Sequence, residues 1–210
     1  MRIVVLISGS GSNLQALLDA CAKGEIQAAI VGVISNKPNV KGLARATQAG
    51  VATQVLQHQD YASREAFDQK LQQAIDAYEA DLVVLAGFMR ILTPAFVDHY
   101  AGRLINIHPS LLPKFTGLHT HQRAIDEGAT EHGASVHFVT SELDGGPVII
   151  QGKVPVLPED TAESLAQRVL VQEHIIYPRA VQWFVTGALQ LTDGRCYLNG
   201  AKLPVQGVQV

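Results

Sequence analysis

Residues 104–113 read Leu-Ile-Asn-Ile-His-Pro-Ser-Leu-Leu-Pro, a pattern typical of a strand that ends abruptly. Alternate residues of a strand point to opposite faces, so Asn106 and His108 share one face and the two isoleucines occupy the other. Pro109 has no backbone donor and stops the strand directly after His108. An amide and an imidazole therefore lie side by side at the edge where parallel sheets bind their ligands.

Upstream of this stretch, strand-like and helix-like segments alternate. Strands are predicted at residues 3–8, 28–35, 52–56 and 82–86, and helices at 13–23, 42–49, 63–78 and from Thr93 to about Tyr100. Near-continuous Val, Ile and Leu runs separated by helices are typical of parallel strands covered on both faces. The sequence therefore predicts an α/β fold, a mostly parallel twisted sheet with helices on both faces.

Downstream, the pattern predicts a helix at residues 119–127, strands at 134–139 and 148–154, and a long helix that begins at Asp160. Asp193-Gly194 separates two short apolar runs, which indicates a C-terminal β-hairpin. We expect one domain over residues 1–198 and a loosely held tail over 199–210.

The composition favours small ligands over macromolecular partners. The 210 residues are 47% hydrophobic and 17% charged, with a net charge of −3. No cationic run suits a nucleic-acid backbone or an anionic membrane, and the apolar start breaks at Ser8 before it reaches the length of a signal sequence. We expect a cytoplasmic protein, a monomer or weak homodimer, in which Cys21 and Cys196 are free thiols.

A glycine-rich loop at residues 9–13 follows the first predicted strand and opens the first predicted helix. Its backbone amides and the helix dipole are suited to an anion such as a phosphate, although a turn required only for packing is the alternative. Leu14 stands where a dinucleotide-binding loop has glycine, and no Gly-Lys-Ser/Thr loop is present. Nicotinamide cofactors and nucleoside triphosphates are therefore disfavoured.

His108 has two polar companions that favour an acid–base role over that of a buried structural histidine. Asn106 supplies an amide donor, and Asp144 supplies a carboxylate in a loop with Gly145 and Gly146. This set suits attack of an amine on a carbonyl-like carbon, where negative charge develops on oxygen and a proton leaves nitrogen. No serine or cysteine is placed as a covalent nucleophile, so direct transfer between two bound substrates is the simpler scheme.

Other histidines and arginines give weaker signals. His119, His121, His132 and His137 lack the spacing of known metal motifs, and we expect no metal. Arg64 and Arg90 suit a carboxylate ligand, although most arginines only solvate a surface.

Several blocks in order resemble the folate-dependent phosphoribosylglycinamide formyltransferases, over residues 3–183. The blocks are residues 11–15, 86–92, 106–113, 133–139, 143–147 and 172–174. The resemblance implies a Rossmann-like formyltransferase fold and transfer of a formyl group from the co-substrate 10-formyltetrahydrofolate to the amine of 5-phosphoribosyl glycinamide. That reaction belongs to purine biosynthesis.

The same resemblance assigns roles to individual residues. Asn106, His108 and Asp144 match the catalytic positions, and the ribosyl substrate is assigned to Gly11, Ser12, Asn13 and Glu173. Folate contacts are assigned to Arg64, Met89, Arg90, Ile91, Leu92, Asn106, Thr140, Ser141, Glu142, Leu143 and Asp144. Thr116 and Leu170 depart from residues common in the family, which concerns details of the ribosyl site.

Three alternatives share part of this pattern. Methionyl-tRNA formyltransferase has the same Asn-x-His…Asp core but adds a C-terminal domain and a basic surface, which are not evident here. Formyltetrahydrofolate hydrolase adds an N-terminal regulatory domain, for which the sequence before Ile3 leaves no room. A non-catalytic sugar-phosphate-binding module would require only residues 11–13.

Overall fold

The structure is a computed structural model that describes residues 1–210. The chain forms two compact units, Met1–Asn106 and Ile107–Val210. Strand β5 (Leu104–His108) contains the boundary, so Asn106 ends the first unit and His108 belongs to the second.

The first unit alternates strands with helices, as predicted. Its remaining strands are β1 (Arg2–Ile7), β2 (Ala29–Ser35), β3 (Thr53–Val55) and β4 (Leu82–Leu85). Its helices are α1 (Ser12–Ala22), α2 (Lys41–Gln48), α3 (Arg64–Asp76) and α4 (Pro94–His99), with a 3-10 turn at His58–Asp60. The strands pair in parallel in the order β5-β4-β1-β2-β3. Both faces of β4 are buried, which explains its uninterrupted apolar sequence.

The strand order of this unit reverses at β1. Strand β1 pairs with β2 on one side and with β4 on the other, so the connections that follow these strands leave in opposite directions. The segments after β1 and β4, residues 8–11 and 86–92, therefore flank a topological switch point, where open parallel sheets bind ligands.

Two predicted helix starts in this unit have side-chain caps. The Ser63 hydroxyl accepts from the Ala66 backbone N–H ahead of α3. Thr93 accepts from the Phe96 N–H ahead of α4, whose first residue is Pro94. A capping hydroxyl satisfies one of the amides that has no partner within its own helix, so each cap defines where its helix begins.

The second unit contains the end of β5, helix α5 (Thr120–Asp126), strands β6 (Glu131–Phe138) and β7 (Val148–Pro155), and helix α6 (Ala162–Val185). Strands β6 and β7 are antiparallel. The long helix begins at Ala162, two residues later than predicted, because Thr161 and not Asp160 is its N-cap and forms a reciprocal capping box with Ser164. The Asp160 carboxylate instead accepts from the Leu157 N–H and pairs with Arg168, which holds the pKa of Asp160 well below its usual range.

The predicted hairpin is present and is followed by further strands. Strands β8 (Leu189–Thr192) and β9 (Arg195–Leu198) pair antiparallel, with β10 (Ala201–Lys202) added to β9. Strand β11 (Val208–Gln209) pairs in parallel with β7, so residues 199–210 are not the loosely held tail that their sequence suggested. The physical reason is that β7 offers a free edge to β11. None of the helices combines the length and the apolar character needed to cross a membrane.

Candidate active site

The glycine loop adopts a conformation that requires glycine. Gly11 precedes α1 with φ of 70°, in the left-handed region. A Cβ at this position would lie 2.5 Å from the Cα of Gly42, so a side chain is excluded by the backbone of α2. Ser12 and Asn13 are the first residues of α1, and the amides of this first turn are the ones available to an anion. The loop therefore requires glycine for packing against α2, and its first-turn amides also suit an anion.

The segment 89–92 is held at the switch point by a buried hydroxyl. The Ser8 Oγ accepts a hydrogen bond from the Met89 backbone N–H at 2.8 Å and donates to Asn36 Oδ1 at 2.6 Å. Ser8 and Asn36 are buried, whereas Met89 and Ile91 are 61% and 55% exposed. Exposed apolar side chains on an anchored backbone form a surface suited to a flat heterocyclic ligand. Leu92, which completes the segment, is exposed to an intermediate degree.

Arg64 and Arg90 are linked through α3. The Arg90 guanidinium lies over the Phe67 ring, 4.8 Å from its centroid, and its buried Nε has no hydrogen-bond partner. Arg64 is the exposed first residue of α3 and lies three positions before Phe67, so the two share one helix face. Arg64 therefore begins the same helix whose Phe67 ring lies under Arg90.

His108 and Asp144 form a buried pair in the second unit. His108 Nδ1 lies 3.6 Å from Asp144 Oδ2, and the two side chains are 8% and 9% exposed. His108 Nε2 lies 2.9 Å from the carbonyl oxygen of Phe115. Both ring nitrogens therefore face oxygen acceptors, and an imidazole with hydrogens on both nitrogens can donate to both.

The carboxylate of Asp144 has a second fixed contact. The backbone N–H of Gly117 donates to Asp144 Oδ2 at 2.8 Å. Asp144 itself has φ of 52°, a left-handed conformation that aspartate tolerates better than most residues. The segment after His108 thus supplies a carbonyl to the imidazole and an N–H to the carboxylate. These two backbone contacts have no signature in side-chain chemistry, and the sequence analysis missed both Phe115 and Gly117.

Three further histidines of the second unit surround this pair. His121 Nδ1 and His132 Nε2 lie 3.1 Å apart. Burial lowers the pKa of His132 to about 4, and the nearby His121 and His108 add to the shift. Burial also lowers the pKa of His137 to about 4, against a smaller opposing effect of its contact with the Phe138 carbonyl. These rings are thus neutral at pH 7, and no group of three or more His, Cys, Asp or Glu side chains is arranged to hold a metal ion.

The remaining predicted site residues of the second unit occupy two places. Thr140, Ser141, Glu142 and Leu143 form an open loop before Asp144, with Leu143 54% exposed and the Gly145 N–H donating to the Glu142 carbonyl. Glu173 lies buried on α6. Burial of Tyr177 raises the pKa of its hydroxyl, and the nearby Glu173 adds to the shift. Two residues differ from those common in the family that the sequence resembles. The Thr116 carbonyl accepts a hydrogen bond from Arg123, and Leu170 is partly buried on α6.

The structure thus brings His108, Asp144 and Gly117 into direct contact, and it separately joins Ser8, Asn36 and Met89. Asn106 lies two residues before His108 in β5, on the same face of the strand. Ser8 and Asn36 were not predicted as site residues. Their signal in the sequence is that each follows the apolar run of one of two neighbouring strands: Ser8 comes directly after the run of β1, and Asn36 comes after Ser35 at the end of β2.

The chain is similar to known proteins over nearly its whole length. A profile of the Formyl transferase family matches residues 1–181. The chain is 58% identical to the phosphoribosylglycinamide formyltransferase of Escherichia coli strain K12, over 99% of this chain and 98% of that protein. It is 48% identical to the enzyme of the same name from Haemophilus influenzae, over 98% and 97% of the two chains.

A solved structure extends the likeness to three dimensions. The phosphoribosylglycinamide formyltransferase of Coxiella burnetii, determined with CHES, superposes with a TM-score of 0.96 at 51% identity, covering 100% of this chain and 98% of that chain. The predicted α/β fold class is confirmed. With a family profile that spans most of its length and relatives of this similarity, the chain belongs to the formyl transferase family.

Proposed function

We propose that this chain transfers the formyl group of 10-formyltetrahydrofolate to the amine of 5-phosphoribosyl glycinamide; the name of its relatives gives the formyl acceptor, and the donor is the one that the family resemblance implies. The observation that carries the proposal is the buried His108–Asp144 pair, together with Asn106, which lies two residues before His108 in β5. The reaction yields formylglycinamide ribonucleotide and tetrahydrofolate, a step of purine biosynthesis. The folate is a co-substrate that arrives and leaves in each turnover.

The chemistry follows from the groups present. The substrate amine attacks the formyl carbon, a carbon–nitrogen bond forms, and the carbonyl oxygen becomes negative. The Asn106 amide and a ring N–H of His108 donate to that oxygen, the His108 N–H exchanging the Phe115 carbonyl for the substrate oxygen, while the Asp144 carboxylate orients the ring. The attacking nitrogen then loses a proton, the bond from the formyl carbon to the folate nitrogen breaks, and that nitrogen takes up a proton. No covalent enzyme intermediate and no metal are required by this scheme.

Substrate placement is proposed from the same residues. The phosphate of the ribosyl substrate binds the amides at Gly11, Ser12 and Asn13, and Glu173 contacts the sugar or glycinamide portion. The folate heterocycle is assigned to Met89, Arg90, Ile91 and Leu92, and further folate contacts to the loop of Thr140, Ser141, Glu142 and Leu143. Its glutamate carboxylates pair with Arg64. A cytoplasmic location and a monomeric or weakly dimeric state remain predictions.

One assay tests the proposal. The protein is incubated with both substrates, and formation of tetrahydrofolate is followed by its absorbance. Turnover that requires both substrates supports the proposal. Folate deformylation at the same rate without the ribonucleotide indicates a hydrolase, and transfer only to a charged tRNA indicates the methionyl-tRNA activity. Binding of the ribonucleotide with no turnover indicates a non-catalytic module.

A further inference from the structure

A buried polar network lies against the segment 109–117, outside the site described above. Its central members are Ser135 on β6 and Gln151 on β7, which are 0% and 2% exposed. Buried polar groups are costly unless fully hydrogen-bonded, so two of them at adjacent positions of paired strands require an explanation.

The Ser135 hydroxyl uses its whole hydrogen-bonding capacity on this segment and on Gln151. It donates to the Ser110 carbonyl at 2.6 Å and accepts from the Leu112 N–H at 3.0 Å. It also accepts from Gln151 Nε2 at 2.9 Å. One donor and two acceptor positions are the full capacity of a hydroxyl, so Ser135 has a single orientation here.

The Gln151 amide is oriented from both ends. Its Nε2 donates to the Leu112 carbonyl at 2.8 Å as well as to Ser135. Its Oε1 accepts from Gln209 Nε2 at 3.2 Å, and that nitrogen also donates to the Gln206 carbonyl at 2.8 Å. Gln209 and Gln151 are register partners in the parallel pair β11–β7. The C-terminal strand therefore determines which end of the Gln151 amide faces the segment 109–117.

The far end of that segment touches the reacting groups. Ser110 Oγ donates to the Lys114 carbonyl at 2.6 Å, which closes the turn. The next residue, Phe115, supplies the carbonyl that faces His108 Nε2, and Gly117 supplies the N–H that holds Asp144. An unbroken series of hydrogen bonds and short backbone connections thus joins Gln209 to both members of the buried pair.

We propose that Gln151, with its orienting partner Gln209, is a positioning residue that holds segment 109–117 so that His108 and Asp144 keep their reactive geometry. The expected effect on turnover rests on the proposed function, whereas the statement that Gln151 and Gln209 hold segment 109–117 does not. It assigns a role to residues of the C-terminal strand, which lie beyond the part of the chain that the family profile matches.

The decisive variant is Gln151→Glu, which keeps the size of the side chain but turns the donor toward the Leu112 carbonyl into an acceptor. We expect kcat to fall roughly 10- to 100-fold, because small displacements of reacting groups carry such penalties, while the KM of each substrate changes by less than about threefold. The pH profile of kcat should shift as well, because the surroundings of His108 change. Hydrogen exchange at the Gly117 amide should accelerate relative to that of amides in β1.

Gln209→Ala is a second, milder variant. Because Gln209 is exposed, its removal leaves the core intact. It should lower kcat roughly two- to tenfold, and combining it with Gln151→Glu should add little, since the two side chains act as one unit. Gln206→Ala is the matched control: it removes a neighbouring exposed side chain but keeps the carbonyl that Gln209 uses. Its kcat should equal that of the wild type.

Folded Gln151→Glu and Gln209→Ala variants with unchanged kcat and unchanged exchange at Gly117 overturn the inference. Reduced thermal stability with an unaltered kcat and pH profile also overturns it, because that is a purely structural role. If Gln151→Glu does not fold, Gln209→Ala decides by the same criteria. Faster Gly117 exchange in the variants, together with a wild type that shows no formyl transfer, means that the proposed function fails while the positioning role stands.

Discussion

His108 Nδ1 and Asp144 Oδ2 lie 3.6 Å apart in a region from which solvent is largely excluded. Such a carboxylate orients the imidazole, and low solvent access strengthens the interaction. The Gly117 N–H on the same oxygen and the Phe115 carbonyl on the opposite ring nitrogen hold both partners in place. The pair is therefore held at the end of β5, where a His108 ring N–H that exchanges the Phe115 carbonyl for a substrate oxygen can stabilise negative charge on that oxygen.

Replacing Asp144 with asparagine tests this relationship. The change keeps the size and the acceptor for Gly117 but removes the charge, so kcat should fall by about 10²- to 10⁴-fold, the range for acid–base groups. The measurement is kcat and kcat/KM across pH, with circular dichroism as the folding control. His108→Ala should be at least as damaging, and the double variant far less damaging than the product of the singles. Losses that simply multiply would show that the two side chains act independently.

Substitutions in the glycine loop separate backbone strain from phosphate binding. Gly11→Ala should destabilise the protein by roughly 1–3 kcal/mol, because alanine is strained at φ of 70° and its Cβ meets Gly42. Gly9 has open space at its Cβ position, so Gly9→Val should fold normally. If the amides of residues 11–13 bind the phosphate, the bulk of the valine side chain in Gly9→Val should raise the KM of the ribonucleotide more than that of the folate. Equal effects on the two substrates in Gly9→Val would count against the phosphate assignment.

Arg64→Ala should raise the KM of the folate more than it lowers kcat. Arg64 is exposed at the start of α3 and is not among the residues assigned to the reacting groups, so we expect it to contribute to binding. Titration with folates that have or lack the glutamate provides the comparison, and Lys70→Ala, which removes an exposed positive charge from the same helix, is the control. An identical penalty with both folates would exclude a carboxylate contact at Arg64.

Acid should destabilise the protein through its buried histidines. Burial lowers the pKa of His137 from 6.5 to about 4, so its neutral form is favoured in the folded state. The unfolded state binds a proton near the ordinary pKa, and stability present above pH 6.5 is therefore lost as the pH falls toward 4. The loss attributable to His137 is at most about 3 kcal/mol. Urea unfolding of wild type and His137→Gln between these pH values should show a shallower pH dependence in the variant; parallel curves would contradict the assignment.

Much of the fold was predictable because local patterns and tertiary structure agree here. The apolar runs of β1, β2 and β4 are long and continuous because both faces of these strands are buried. Ser63, Thr93-Pro94 and Asp193-Gly194 mark boundaries through chemistry that depends only on near neighbours. Helix α6 starts two residues later than predicted because Thr161 and Ser164 cap each other, whereas the Asp160 carboxylate pairs with Arg168.

The sequence by itself determined the α/β class, the identity of Asn106, His108 and Asp144 as candidates, and the family to which they point. Only the tertiary structure decided that β11 pairs with β7, that Ser8 anchors Met89, and that Gly117 holds Asp144. The physical reason is that these contacts join residues far apart in the chain, and most of them use backbone N–H and C=O groups that every residue type carries. Side-chain patterns record burial and local geometry, whereas long-range backbone pairing is established only when the chain folds.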